Sequence, residues 1–461
     1  MITLYPDQQA GADAIRGAYR AGKRAPLFVA PCAFGKTVLF SHIASGAIKR
    51  GNSVLIIAHR TELIDQISET LTAFDIEHGF IAAGKRYAPR TVMVASIQTL
   101  AKRMNYYAAG YSLIIIDEAH HVTKHNTFGK TLAQFPTSKI LGVTATPCRL
   151  SGEGLGDVFD TLIEGPTTQQ LIDAKRLSPF KLFAPPGVDV SGLKIQAGDY
   201  VAKQLAGVMD KARITGDAVT HYQRHCPGKP FVAFCVSIEH ATHVADQFRQ
   251  AGIDAVCIHG MMDDALRKQI VGDFRAGRIT GLCSVDLISE GFNVPGIHCG
   301  IMLRPTASRS LHIQQIGRCL RTAAAKDHAV ILDHAGNCTR HGLPTDPQSW
   351  SLEGTVKKKR ASKQEVPVRI CPSCFAANPG GTMVCRECGH EWAIEARQVE
   401  TIDGELVEWV PQPKGPTPAR IEEWQARTLE QLTELGRIRN YNNPEAWARI
   451  RYEARMRKAG A

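Results

Sequence analysis

Short apolar runs alternate with amphipathic stretches over most of the chain. Five runs in the first third have the length and composition of buried strands: LFVA (27–30), VLIIA (54–58), VMVAS (92–96), LIIID (113–117) and ILGVTAT (140–146). The stretches between them, such as TELIDQISETLTAF (61–74), carry apolar residues at helical spacing. This alternation predicts an α/β domain with a mostly parallel sheet covered by helices.

The same pattern starts again near residue 226. Its strand-like runs are FVAFC (231–235), AVCIHG (255–260), GLCSV (281–285), CGIMLRP (299–305) and AVILD (329–333). We therefore predict a first domain over 1–165, a connecting segment over 166–225 and a second α/β domain over 226–345. The composition then changes, which predicts a basic linker over 346–368, a cysteine-rich module over 369–395 and a helical segment over 419–461.

Composition narrows the class of protein. The 461 residues, 44% of them hydrophobic, allow two or three domains with cores of their own. No stretch has the length of a membrane span and the first residues lack the pattern of a secretory signal, so a cytoplasmic location is expected. The 13 cysteines are mostly single, which suits a reducing compartment. A net charge of +11 favours a polyanionic partner, although solubility alone would also account for it.

The stretch APCAFGKT (30–37) follows a strand-like run and ends like a phosphate-binding loop. In such a loop backbone N–H groups face a phosphate, Lys36 reaches the terminal phosphates and the Thr37 hydroxyl can bind Mg²⁺. An ordinary strand-to-helix turn is the alternative. Ala33 stands where such loops usually carry glycine, and a left-handed backbone there would cost alanine roughly 1–2 kcal/mol.

The stretch LIIIDEAHH (113–121) joins a buried strand to an acidic pair. The strand predicts that Asp117 reaches the carboxyl edge of the sheet, where its carboxylate can hold Mg²⁺ beside Thr37. Glu118 is then placed to orient and deprotonate an attacking water. A strand that ends in a solvated acidic turn is the alternative, and the phosphate-binding loop argues against it.

Further stretches share one order and spacing with a known family. They are LYPDQQ (4–9), IIAHRTELIDQ (56–66), VASIQTL (94–100), TATP (144–147), IHGMMDDALR (258–267), SVDLISEGFNVPG (284–296) and QQIGRCLR (314–321). Over nearly all of residues 1–336 the chain resembles the superfamily 2 DEAD/DEAH-like helicases and translocases. IMLRPTASRS (301–310) and ILDHAGN (331–337), with the cysteine-rich tail, look most like RadD-type bacterial DNA repair ATPases and related phage helicases.

The resemblance implies two tandem RecA-like domains with parallel sheets, which bind ATP and Mg²⁺. It implies that the nucleotide is bound by Gln8, as the adenine-reading glutamine, and by Gly35, Lys36, Thr37, Asp117 and Gly291. It implies catalytic roles for Lys36, Asp117, Glu118, His120, Arg318 and Arg321. Asn293 stands where many relatives have aspartate, which would alter the contact with ribose.

Arg318 and Arg321 are three residues apart, so on a helix they would share one face. A nucleotide held by the first domain would then meet both across the cleft, and such an arginine stabilises charge on the transferred phosphoryl group. Solvated surface charges are the alternative reading of this pair.

The resemblance also implies a track for a nucleic-acid strand that is held mainly by its backbone. The residues it places there are His59, Arg60, Ser96, Gln98, Thr99, Ser237 and His259. The expected function is an ATP-dependent DNA helicase or translocase acting in repair, recombination or replication, in a bacterial or phage-infected cell. An RNA helicase and a nucleic-acid-binding scaffold with weak ATPase activity remain alternatives.

RICPSCFAANPGGTMVCRECGHEW (369–392) contains two Cys-x-x-Cys pairs, formed by Cys371, Cys374, Cys385 and Cys388. Two such knuckles supply the four thiolates of a structural zinc site, so we predict a zinc ribbon. A redox dithiol is the alternative, but it explains one pair only. The ribbon could bind nucleic acid, together with the nearby KKKR (357–360), or a partner protein.

The last stretch is NYNNPEAWARIRYEARMRKAG (440–460). The helical spacing of Trp447, Ile450 and Ala454 in it predicts a packing helix with a basic face, and a DNA contact is the alternative.

Overall fold

A computed structural model of the chain describes residues 2–103, 110–149, 153–184, 193–196, 199–201, 205, 212–285, 296–353, 368–392 and 418–459. The chain divides into two compact units, Met1–Ala393 and Ile394–Ala461. None of the helices in the described ranges combines the length and the apolar character that a bilayer crossing requires.

Among the residues that the structure describes, the first domain is built on a sheet of seven parallel strands. These are β1 (Pro26–Val29), β2 (Val54–Ala58), β3 (His78–Ile81), β4 (Val92–Ser96), β5 (Leu113–Asp117), β6 (Lys139–Thr144) and β7 (Thr161–Glu164). Their order across the sheet is β3-β4-β2-β5-β6-β1-β7. The helices of this domain are α1 (Pro6–Arg20), α2 (Lys36–Ile48), α3 (Thr61–Ala73), α4 (Ile97–Lys102) and α5 (Thr127–Leu132). Strands β1, β2 and β5 are buried along their whole length, as expected for central strands covered on both faces.

The second domain, as far as its residues are described, has a sheet of six parallel strands. These are β8 (Phe180–Phe183), β11 (Phe231–Phe234), β12 (Ala255–His259), β13 (Gly281–Val285), β14 (Cys299–Met302) and β15 (Ala329–Asp333). They lie in the order β12-β13-β11-β14-β15-β8. The associated helices are α6 (Thr168–Asp173), α7 (Ala212–His225), α8 (Ile238–Gln250), α9 (Asp264–Arg275), α10 (Arg309–Cys319) and α11 (Asn337–His341). Two parallel α/β sheets in tandem confirm the predicted fold class.

The segment predicted as a connection, 166–225, contributes to the second domain. Strand β8 pairs in parallel with β15 and forms one edge of the sheet, and α7 packs against β15. A small hairpin of β9 (Ile195–Gln196) and β10 (Asp199–Tyr200) lies in the same segment. The sequence did not predict β8 because it is only four residues long and has prolines, Pro179 and Pro185, on both sides.

The cysteine-rich module rests on this edge strand. It contains the two-stranded pair β16 (Arg369–Ile370) and β17 (Ala377–Asn378). The backbone N–H of Ala184 donates to the Phe375 carbonyl at 2.9 Å, and Phe183 forms an antiparallel bridge with Ala376. Lys181 and Glu387 form an ion pair at 2.6 Å. The module therefore covers the end of β8 and extends the core of the second domain.

In the part of the second unit that the structure describes, 418–459, there are three helices: α12 (Pro418–Gln425), α13 (Leu429–Ile438) and α14 (Pro444–Ala459). Helices α13 and α14 approach closely at Gly436, where an added Cβ would lie 3.1 Å from Pro444 and 3.2 Å from Trp447. The predicted packing face of α14 is only partly correct. Trp447 packs there, but Ile450 is 66% exposed and Ala454 is exposed, while Ala448 is buried. The small side chain of Ala448 suits a close helix crossing, which the spacing of larger apolar residues does not predict.

Candidate functional site

The carboxyl ends of three central strands define the site. Strands β5, β6 and β1 are neighbours, with Asp117 paired to Val143 and Val29 paired to Thr144. Because the strands are parallel, the segments that follow them emerge side by side at one edge of the sheet. The phosphate-binding loop follows β1, the acidic pair follows β5 and TATP follows β6, so three distant stretches of sequence meet there.

The loop after β1 has the backbone of an anion-binding turn. Ala33 has a φ of 66° and Gly35 a φ of 89°, and α2 begins directly afterwards at Lys36. The left-handed conformation considered in the sequence analysis is therefore present at Ala33, at a cost of about 1–2 kcal/mol relative to an ordinary backbone. Lys36 Nζ donates to the carbonyls of Ala30 and Pro31 at 3.1 and 3.3 Å. This arrangement places its ammonium inside the loop, with Thr37 next in the helix.

Gln8 fixes the outer side of the loop. It is buried, its Nε2 donates to the Phe34 carbonyl at 2.9 Å and its Oε1 accepts from the Tyr5 N–H at 3.1 Å. An added Cβ at Gly35 would lie 2.5 Å from Gln8 Nε2, so this position requires glycine for space as well as for φ. Gln8 thus lies beside the loop and holds it in place, and its role as a nucleotide-reading residue stays a prediction.

Arg176 joins this group, although the sequence did not predict it. Its guanidinium lies 4.1 Å from the centre of the Tyr5 ring, pairs with Asp7 and donates to the Phe34 carbonyl at 2.5 Å. A cavity of about 700 Å³ adjoins these residues, lined among others by Gly11, Glu164 and Gln170. Because Arg176 comes from the segment between the domains, no local motif could have predicted it.

The acidic pair is buried and held by backbone and side-chain contacts. The N–H of Glu118 donates to Asp117 Oδ1 at 3.0 Å, and Glu118 itself has a φ of 51°. His120 Nδ1 lies 3.3 Å from Glu118 Oε2 and 3.0 Å from Thr144 Oγ1. A strained left-handed residue that carries a buried carboxylate is typical of a functional site rather than of a solvated turn. The alternative considered in the sequence analysis, a solvated acidic turn, is therefore wrong, because Asp117 and Glu118 are both buried.

The two carboxyl groups differ in their electrostatic surroundings. Burial and the neighbouring Glu118 raise the pKa of Asp117. Burial also disfavours the charge on Glu118, but the hydrogen bond with His120 and the positive charges of His120, Lys36 and Arg318 outweigh burial and lower its pKa. Glu118 is therefore ionised at neutral pH. A cation bound at Asp117 would offset the cost of burying the charged Asp117 carboxylate.

The second domain contributes two arginines to the same place. Arg318 is 7% exposed and lies close enough to lower the pKa of Glu118. Burial and the like charge of Arg318 lower the pKa of Arg321 to about 10. At Gly317 an added Cβ would lie 2.6 Å from the Cβ of Cys32 in the loop, so α10 is in direct contact with the first domain. Two positive charges placed together beside the phosphate-binding loop favour an anion there.

The prediction that these arginines share a helix face is wrong. Helix α10 ends at Cys319, so Arg318 is in the helix and Arg321 is beyond it. The backbone of Arg321 instead forms an antiparallel bridge with Leu177. Lys326 Nζ donates to the carbonyls of Ile297, Cys319 and Arg321 at 2.5 to 2.7 Å. These tertiary contacts end the helix earlier than the local sequence indicates.

The residues expected along the nucleic-acid strand fall into two groups. In the first domain, Gln98 Nε2 donates to the His59 carbonyl at 2.9 Å, and Ser96 Oγ donates to Gln98 Oε1 at 2.6 Å. Arg60 is adjacent to His59, and Thr99 lies beside Gln98 in α4, partly buried. In the second domain, Ser237 caps α8 by accepting from the His240 N–H at 3.1 Å, and His259 ends β12. Gly291 and Asn293 lie outside the described residues.

The four predicted metal-binding cysteines come together. Their sulfur atoms all lie within 4.8 Å of one another. Two separations cross between the two knuckles, 3.6 Å from Cys371 to Cys388 and 3.7 Å from Cys374 to Cys385. Phe375 and Gly389 have positive φ in the two turns. Four thiols that converge on one point are the donor set of a structural zinc site.

Comparisons with known proteins agree with this geometry. Residues 1–149 match the family described as type III restriction enzyme, res subunit, and residues 215–323 match the helicase conserved C-terminal domain. A 51.5 kDa protein of a Lactococcus phage is 37% identical over 371 residues, which cover 80% of this chain and 78% of that protein. IRC3 of Saccharomyces cerevisiae, named as an ATP-dependent helicase, is 31% identical over 324 residues, 66% of this chain and 47% of that protein.

A solved structure shows the same fold. The ATP-dependent type ISP restriction-modification enzyme LlaBIII, bound to DNA, superposes with a TM-score of 0.55 at 20% identity, over 72% of this chain and 27% of that chain. The chain thus spans about half the length of the yeast relative and about a quarter of the restriction-modification enzyme.

Proposed function

Because the chain belongs to superfamily 2 of the DEAD/DEAH-like helicases and translocases and is a nucleic-acid-dependent ATPase of that family, we propose that it is a DNA helicase or translocase. We propose that it acts in DNA repair, recombination or replication in a bacterial or phage-infected cell. One observation carries the mechanism: the buried Arg318 and the half-buried Arg321 of the second domain lie beside the acidic pair and the phosphate-binding loop of the first.

The nucleotide is proposed to bind where these groups meet. Lys36, Gly35 and the N-terminus of α2 would hold the β- and γ-phosphates, and Thr37 with Asp117 would hold Mg²⁺. The cation supplies charge neutralisation on the phosphates. Gln8 would read the adenine, and Tyr5 with Arg176 beside the adjoining cavity would pack against the ring. Gly291 remains a proposed nucleotide contact on the resemblance alone.

The chemistry is proposed to divide between the two domains. The Glu118 carboxylate would accept a proton from the attacking water, and His120 would hold that carboxylate in place. Arg318 and Arg321 would stabilise the charge that develops on the transferred phosphoryl group. Because the groups come from different domains, turnover would require closure of the cleft, and closure would change the grip on a strand that contacts both domains.

DNA rather than RNA is proposed as the strand. The first 149 residues match a family described by a restriction enzyme subunit, and LlaBIII was solved bound to DNA. Contacts would be made mainly to the strand's backbone at His59, Arg60, Ser96, Gln98, Thr99 and His259. Ser237 is a weaker candidate, because its hydroxyl already caps α8.

Single-stranded DNA is expected to raise ATP turnover by roughly tenfold or more, and RNA of the same length and composition is expected to raise it less. The measurement is steady-state ATP hydrolysis with no nucleic acid, with DNA and with RNA on one preparation. A stronger response to RNA would instead favour an RNA helicase. Turnover that neither polymer changes would favour a nucleic-acid-binding scaffold with weak ATPase activity.

One Zn²⁺ per chain is expected at the four cysteines, and Cys371→Ala is expected to lose it. Because the module covers β8, metal loss should also lower the thermal midpoint of the second domain. Elemental analysis of freshly purified reduced protein, with thermal unfolding, checks both parts. Cys257→Ala, outside the cluster, is the control and should retain the metal. Metal-free reduced protein with a Cys371–Cys374 disulfide after oxidation would support the redox alternative.

A further inference from the structure

Three histidine rings, tilted against one another by 54° and 39°, form a continuous row between the nucleic-acid residues and the catalytic acid. The ring centre of His59 lies 4.3 Å from that of His121, and His121 lies 4.2 Å from His120. His120 Nδ1 in turn lies 3.3 Å from Glu118 Oε2. The sequence suggested separate roles for His59 and His120 and none for His121. The row of rings joins these roles through His121.

The outer end of the row of rings is held by residues assigned to the nucleic-acid strand. Gln98 Nε2 donates to the His59 carbonyl at 2.9 Å, and Arg60 Nε donates to His59 Nε2 at 3.3 Å. Ser96 Oγ donates to the same Gln98 side chain. A polymer that engages Arg60, Ser96 or Gln98 must therefore disturb the contacts that orient His59.

The inner end is held by the segment that follows β6. Thr144 Oγ1 donates its hydrogen to the Thr146 carbonyl at 3.0 Å, so it can only accept from His120 Nδ1. His120 Nδ1 therefore carries a proton, and the same nitrogen lies 3.3 Å from Glu118 Oε2. Rotation of the His120 ring would move this donor and change the position and charge stabilisation of the Glu118 carboxylate.

His121 lies between these two ends on a fixed backbone. Its N–H donates to the Glu118 carbonyl at 3.1 Å, and its own carbonyl accepts from Asn126 Nδ2 at 2.8 Å. Because the backbone is held on both sides, the His121 side chain responds to its neighbours by ring rotation. Aromatic rings in contact prefer defined mutual orientations, so reorientation of His59 favours a matching reorientation of His121 and then of His120.

We propose that His121 is a positioning residue that transmits nucleic-acid binding at His59 to the catalytic Glu118. The inference rests on the proposed function, because it requires a polymer at His59 and Arg60. It explains how a strand bound on the surface of the first domain can alter water activation within the same domain. This coupling would act in addition to any closure of the cleft.

The test replaces the ring and keeps its bulk. His121→Leu removes the aromatic ring while it fills a similar volume, and His121→Phe restores a ring that cannot donate a hydrogen bond. His125→Leu is the matched control, because His125 lies four residues away on an exposed position. For each variant we would measure ATP turnover with and without single-stranded DNA, KM for ATP, and DNA affinity by fluorescence anisotropy.

His121→Leu is expected to lower the DNA-stimulated kcat by about tenfold or more, while KM for ATP and DNA affinity change by less than about threefold. His121→Phe should regain most of the stimulation, and His125→Leu should behave as the wild type. Wild-type stimulation in His121→Leu would overturn the inference. So would equal losses of basal and stimulated turnover, which indicate a purely structural role, or a His121→Phe variant as impaired as His121→Leu.

The same data separate this inference from the proposed function. If neither DNA nor RNA stimulates the wild-type protein, the proposed function fails and no signal exists for His121 to transmit. If the wild type is stimulated and His121→Leu is too, only the inference fails. Should His121→Leu unfold, His121→Phe decides alone: loss of stimulation with intact DNA binding would contradict transmission through the row of ring contacts.

Discussion

Glu118→Gln is expected to lower ATP turnover by roughly two to four powers of ten, the usual contribution of a general base. Glutamine keeps the shape of the side chain but cannot accept the proton of the attacking water. The change also removes a negative charge that lies among Lys36, Arg318 and His120. ATP affinity should therefore be retained or increased, because the site becomes more positive before the triphosphate binds.

The comparison requires both turnover and binding. Steady-state hydrolysis and titration with a fluorescent ATP analogue on one preparation separate the two effects. Lys36→Ala should lose turnover together with much of the phosphate contact, so it serves as the contrasting variant. Glu77→Gln, which changes an exposed carboxylate paired with Arg90, should behave as the wild type. Wild-type turnover in Glu118→Gln would show that another group activates the water.

Much of this site is predictable because its parts are local in sequence. A strand followed by a short loop and a helix placed Lys36 and Thr37 correctly beside the sheet edge, and the strand before Asp117 placed the acidic pair at the same edge. The loop pattern indicated a left-handed backbone at Ala33 only as a cost for alanine, and the structure has that conformation there. The four cysteines converge because each Cys-x-x-Cys pair forms its own turn. In each case the geometry depends on a few neighbouring residues.

The features that the sequence did not predict depend on contacts between distant segments. Arg176 reaches Tyr5 and the loop from the segment between the domains. Strand β8 is too short to recognise, and it is defined by its pairing with β15 and by the module that covers it. Helix α10 ends before Arg321 because Leu177 and Lys326 bind the backbone there. Periodicity within one segment carries no information about such partners.

Arg321→Ala is expected to lower ATP turnover by at least roughly a hundredfold and to leave ATP affinity of the open enzyme nearly intact. Gln8, Lys36 and Thr37 all belong to the first domain, so nucleotide binding does not require the arginine. Its guanidinium would act mainly on the charge that develops in the transition state. The variant should fold, because the contacts of Leu177 and Lys326 are made to the backbone of Arg321 and survive the change.

The position of Arg321 outside α10 sharpens this prediction. Arg318 lies in the helix and Arg321 lies beyond it, so the two substitutions have different expected effects. Arg318→Ala should also disturb Glu118, because Arg318 helps to lower the pKa of Glu118. Arg278→Ala, which removes an exposed arginine paired with Asp273 in the same domain, is the control. Titrations of nucleotide and DNA accompany the steady-state rates.

The variants also test whether nucleotide controls the grip on DNA. Arg321→Ala should bind DNA in the absence of nucleotide as the wild type does. A nonhydrolysable ATP analogue should change the DNA affinity of the variant less than that of the wild type, because the variant lacks one contact between the nucleotide and the second domain. Normal hydrolysis in Arg321→Ala would assign the phosphoryl contact to Arg318 alone. Loss of ATP binding together with a lowered thermal midpoint would mean that Arg321 supports the fold, and the assignment of its side chain to the transition state would then be wrong.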